Sequence, residues 1–130
     1  SNPKLSDFVF IGDEMIKYSL SLQGYYNAKF QEIILMKSNT HWYDVDEKLY
    51  VILDEEDCIT VNLIDIWNKE KRSESLRLDG IPKRKNKTSR IEIRVNCLNS
   101  TTIILTAKDK GFGELYPSSN RIWEKEIKIS

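Results

Sequence analysis

Apolar residues in this 130-residue chain return at every second position, not every third or fourth. The clearest run spans residues 90–98, where Ile91, Ile93, Val95 and Cys97 alternate with Arg90, Glu92, Arg94 and Asn96. Successive side chains of an extended strand point to opposite faces, so this pattern predicts a strand with one buried face. Ile16, Tyr18, Leu20 and Leu22 repeat it, and so do Ile59, Val61 and Leu63. No segment carries a convincing helical period. Sheets with one apolar face must bury it against another layer, which leaves sheet on sheet as the expected plan.

The other apolar segments predict strands at residues 28–36, 49–53, 75–78, 102–109 and 121–129. The unbroken run Ile33-Ile34-Leu35-Met36 predicts burial on both faces. Residues 24–27 read as a turn holding Tyr25 and Tyr26. Asp54-Glu55-Glu56-Asp57 is an acidic turn, which makes residues 49–53 and 58–67 the clearest hairpin. Residues 68–74 read as an exposed turn, 79–89 as a Gly/Pro/Lys-rich loop, and Gly111-Phe112-Gly113 as a turn with an aromatic plug. About eight strands with turn signals every 8–12 residues give an all-β, antiparallel β-sandwich. Residues 1–14 are expected to be a linker or its remnant and 15–130 the domain, in a piece of a longer protein.

Basic and acidic residues number 20 each, so no net field draws the chain to nucleic acid or an anionic membrane, and neither is an expected partner. No apolar run approaches the ~20 residues of a membrane helix. A cytoplasmic location follows, with Cys58 and Cys97 as reduced strand thiols. His41 is the single histidine; with only Asp44 and Asp46 nearby it makes neither a catalytic nor a metal constellation. The acidic turn lacks the spaced oxygen ligands and glycine of a calcium loop. Lys83-Arg84-Lys85-Asn86-Lys87 reads as a solvated basic loop. No enzyme activity and no metal are expected.

Two short motifs then stand at a fixed distance. Leu78-Asp79-Gly80-Ile81-Pro82 precedes Arg90-Ile91-Glu92-Ile93, and Ala107-Lys108-Asp109-Lys110 follows. This series resembles the substrate-binding β-domain of heat-shock protein 70 (DnaK-type) chaperones, matched without a gap from Leu78 to Lys110. Ser19-Leu20-Ser21-Leu22 resembles that family's first strand, and residues 49–62 align with the hairpin that forms its peptide groove. Thr101 or Thr102 stands where the family has a hairpin glycine, and residues 111–119 with Trp123 are an insertion, as in a divergent member.

The resemblance implies non-covalent binding of unfolded or extended, apolar-rich polypeptide. Extended backbone finds hydrogen-bond partners in the groove, and a pocket takes one side chain. By position the pocket would use Leu22, Leu49, Ile59, Val61 and Ile91, with Tyr25 and Ile52 as the arch over the peptide. No cofactor is expected in this fragment; ATP would belong to an upstream nucleotide-binding domain, a possible further partner. Ile52 is bulkier than the small residue usual at the arch, and Tyr25 is aromatic. If either fills the groove, what is left is a scaffold or protein-interaction β-sandwich.

Overall fold

Two four-stranded antiparallel sheets pack face to face. The computed structural model describes residues 14–26, 29–53, 57–65, 67–84, 89–114 and 116–129. Within them run β1 (Tyr18–Tyr26), β2 (Lys29–Met36), β3 (Asp46–Leu53), β4 (Cys58–Asp65), β5 (Lys71–Arg77), β6 (Ser89–Asn99), β7 (Thr102–Asp109) and β8 (Ile122–Lys128). One sheet has the order β2-β1-β4-β5 and the other β3-β6-β7-β8. A short 3₁₀ turn, Trp42–Asp44, lies between β2 and β3. No helix among the described residues is long and apolar enough to cross a membrane.

The period-two pattern sets the core. Leu20 and Leu22 of β1, Ile59, Val61 and Leu63 of β4, Ile91, Ile93 and Val95 of β6, and Ile103, Leu105 and Ala107 of β7 are buried in one cluster. Each aliphatic side chain so covered contributes about 1.5–3 kcal/mol. The alternating polar residues face outward, as at Arg90 and Arg94, and Arg94 pairs there with Asp46 at 3.0 Å.

Several local expectations are overturned. Residues 49–53 and 58–67 do not form a hairpin: β3 bonds to β6, while β4 bonds to β1 and β5. The chain crosses from one sheet to the other between them. A turn signal reports a reversal of direction, and it reads the same whether the next strand pairs beside its neighbour or joins the other sheet. The run 33–36 is not buried on both faces, because β2 is an edge strand of its sheet. Leu35 and Met36 are buried but Ile34 is 61% exposed. The expected turn at Gly24 is strand as far as Tyr26. The expected turn at 68–74 ends early, and β5 starts at Lys71; a solvated edge strand needs no apolar alternation. Phe112 is not a plug but is exposed. The acidic residues 54–56, the loop residues 85–87 and the expected linker before Glu14 lie outside the described residues.

The basic loop and the second matched motif meet in space. Asp109, wholly buried, receives both guanidinium nitrogens of Arg84 at 2.9 and 2.8 Å, and Arg84 is itself only 5% exposed. The backbone N–H of Gly111 donates to the same carboxylate, as do the N–H and hydroxyl of Ser119. Arg84 is therefore not part of a solvated basic loop. Burial alone would raise the Asp109 pKa, but these donors outweigh it and hold it well below the usual carboxylate range. Asp79 acts through its carbonyl, which accepts from Arg121 at 3.0 Å and from the Trp123 indole N–H at 2.9 Å. Trp123 is thus a half-buried part of the fold, joining β8 to the loop after β5.

Candidate interaction site at the seam between the sheets

β1 belongs to one sheet along most of its length and touches the other at its end. Its pairing with β4 runs from Tyr18–Asp65 to Leu22–Val61. At Tyr25 it pairs with Ile52 of β3, the one β1–β3 pair among the described residues. Tyr25 also pairs with Phe30 of β2, and Ile52 with Arg90 of β6. Four strands therefore share one row of register partners across the seam: Phe30, Tyr25, Ile52 and Arg90.

The residues expected to line the pocket are brought together there. Leu22, Ile59, Val61 and Ile91 are buried in the shared core, and Leu49 packs half-buried against it. Leu22 and Val61 are direct partners, and Ile91 is the partner of Val51. All five lie on the inner faces of the two sheets. Ile52 has the opposite parity. It shares the outer face with Lys48 and Tyr50 and does not enter the space between the sheets. Tyr25 is placed by its backbone alone.

Val51 holds the space beneath the Tyr25–Ile52 pair. It is 2% exposed, and its Cγ1 lies 3.5 Å from where a Cβ on Gly24 would stand. That is ordinary contact distance, so β1 and β3 meet with no gap at this level. Val51 was not among the expected site residues, although strand parity identifies it: if Leu49 points inward, so does Val51.

An extended peptide needs room that the seam lacks. Paired strands lie about 4.8 Å apart, and a strand inserted between them doubles that spacing. A cleft of about 910 Å³ does open beside the seam, past Leu53, with Ile81, Pro82 and Arg77 in its wall, and none of the seven expected site residues lines it. Arg77 sits there between Asp79 at 3.2 Å and Asp57 at 3.9 Å, and Lys83 lines the same cleft.

The His41 ring stacks on Tyr43 with centroids 5.1 Å apart. Among the described residues no group of three or more His, Cys, Asp or Glu side chains is placed to hold a metal ion. Cys58 and Cys97 are half-buried free thiols, and burial pushes the Cys97 thiol up to about 11. Trp42 is half-buried against the core and Trp67 is exposed.

No curated protein matches the sequence. One family profile does, over residues 15–129, and its description is "Domain of unknown function (DUF8552)".

Proposed function

Since the chain belongs to the DUF8552 family, whose description carries no activity, we propose its role from the seam: it is a non-catalytic protein-interaction β-sandwich whose peptide groove is closed. The supporting observation is Val51, buried against Gly24 beneath the Tyr25–Ile52 pair. An inserted peptide has to part β1 from β3 and then re-cover Val51, Leu22, Val61 and Ile91, which already cover one another. It therefore gains little apolar burial for the opening it demands. The contact surface in this reading is the outer side of the seam, where Ile52 is half-buried and Arg90 is exposed.

One observation favours the other reading, a divergent heat-shock-70-like clamp for extended polypeptide. Leu22, Leu49, Ile59, Val61 and Ile91 are gathered on facing inner surfaces beside a seam held by one strand pair. In that reading the sheets part at the seam, and coupling to ATP belongs to an upstream domain of a longer cytoplasmic protein. Fluorescence anisotropy with a labelled apolar heptapeptide separates the two. The closed-groove reading expects no saturable binding at several hundred micromolar. Saturable binding, with loss of hydrogen-exchange protection at the Tyr25 and Ile52 amides, gives the answer to the clamp.

A further inference from the structure

The two flanks of the sandwich are closed differently. Each presents two edge strands, and an edge offers backbone N–H and C=O groups to another chain unless it is guarded. On the β5–β8 flank both edges are guarded: four of the seven residues of β5 are charged, and four of seven in β8. Lys125 pairs with Glu74 at 3.6 Å and Arg72 donates to the Lys128 carbonyl, which ties these edges to each other. On the other flank, β3 opens with Asp46, Glu47 and Lys48, and its apolar end meets β1 at the Tyr25–Ile52 pair. β2 has no such guard. Among the described residues it pairs only with β1, only Lys29 and Glu32 of its eight residues are charged, and it contains no proline.

The outer face of β2 carries a short symmetric run. Phe30 is 58% exposed and Ile34 61%, with Glu32 between them. Glu32 leans back toward β1, where its carboxylate accepts from the Ser21 hydroxyl at 2.5 Å. Regular pairing ends at Ile34: Ser21 faces Ile34 and Leu20 faces Met36, so Leu35 is a bulge. Opposite residues of an antiparallel pair share a face, so a copy of β2 related by a two-fold axis must meet it with matching parity. A two-fold at Glu32 does this within the regular run. Phe30 then stands opposite Ile34 of the copy, and Ile34 opposite its Phe30, each an aromatic–β-branched pair of the kind that stabilises sheets. A two-fold at Ile33 sets Gln31 against the bulge residue Leu35, and one at Gln31 sets Phe30 against Glu32. Basic and acidic residues balance at 20 each, so no net charge holds two copies apart.

We infer that the β2 edge binds a second copy of this chain, antiparallel about a two-fold at Glu32, and joins the two β2-β1-β4-β5 sheets into one. The inference does not depend on whether the groove at the seam is closed. One strand pair with two apolar contacts lies at the low end of protein interfaces, so the dimer is a weak one. Sedimentation velocity on the intact chain, from about 10 μM to about 1 mM, should show the weight-average mass rising toward twice that of one copy. Over the same range, hydrogen exchange at the amides of residues 30–34 should slow. Ile34→Lys should hold the mass at one copy, whereas Ile122→Lys, at a site 60% exposed on the guarded β8 edge, should leave association unchanged. Phe30→Lys should also abolish the dimer, and adding Ile34→Glu should restore it, because the two changed positions then face each other with opposite charges. A mass that stays at one copy, exchange at 30–34 that ignores concentration, or a dimer indifferent to Ile34→Lys overturns the proposal. A Phe30→Lys/Ile34→Glu variant that stays monomeric refutes the two-fold at Glu32.

Discussion

Replacing Asp109 by Asn tests whether its carboxylate holds Arg84 and the loop after β7 together. The change conserves shape and removes one charge. Five hydrogen bonds end on this carboxylate: two from Arg84, two from Ser119 and one from Gly111. An amide keeps one acceptor oxygen and turns an NH₂ toward the donors that faced the other. Arg84, 5% exposed, is left without its counter-charge and keeps the Pro117 carbonyl and the Ser89 hydroxyl as acceptors. Removing one partner of a buried pair costs about 3–5 kcal/mol. For a chain of this length that lowers Tm by roughly 10–20 °C. Urea unfolding followed by tryptophan fluorescence should show the midpoint falling by roughly 2 M with the slope unchanged. Adding Arg84→Met removes the stranded charge, so the double variant should be no less stable than Asp109→Asn alone. A loss below about 1 kcal/mol for Asp109→Asn, or strictly additive losses in the double variant, refutes the reasoning.

Asp109 also sets an acid limit. Its pKa is depressed in the folded chain, so its contribution is fully present above the unfolded value of ~3.9 and is lost as pH falls below it. Stability of the wild type should therefore drop below about pH 4 more steeply than that of Asp109→Asn, and parallel acid titrations would count against the assignment. Gly80 has a φ of +73°, and a Cβ there would stand 2.1 Å from Arg121 Nη1. Gly80→Ala should cost about 1–2 kcal/mol of left-handed strain plus part of the Arg121–Asp79 bond. In an Arg121→Ala background only the strain should remain; an unchanged urea midpoint contradicts this. In a Cys58→Ser variant, iodoacetamide alkylation of Cys97 should rise about tenfold per pH unit until about pH 11, and a plateau near 8.5 would be inconsistent with a buried thiol.

Strand positions were legible wherever one face is buried. Residues 102–109 were placed to the residue as β7, and the alternation of Ile91, Ile93 and Val95 is the inward face of β6. Legibility failed at edges and at pairing. Nothing apolar marks Lys71 to Glu74 as strand, because β5 lines the rim of its sheet, where charged side chains stay solvated. Ile34 misled for the converse reason, since an edge position tolerates an exposed isoleucine. The partner of β3 was not legible either. Apolar parity says which face is buried, and it is the same whether a strand pairs beside its neighbour or packs across from it. For the candidate site, alternation correctly put Leu22, Leu49, Ile59, Val61 and Ile91 on inner faces. It did not say how far apart the sheets stand. That distance depends on Val51 meeting Gly24, a fit between two residues 27 positions apart in the chain.

The unequal flanks give the sandwich a spine and a fore-edge. On the spine, parting the sheets must break the Lys125–Glu74 pair, the Arg72 bond and the Trp123 indole bond to Asp79. At the fore-edge, among the described residues, a single strand pair bridges β1 and β3. Were the sheets to part, fewer bonds would oppose it at the fore-edge than along β5 and β8. Any first opening exposes Val51 and Gly24 before it disturbs Ile103 or Leu105.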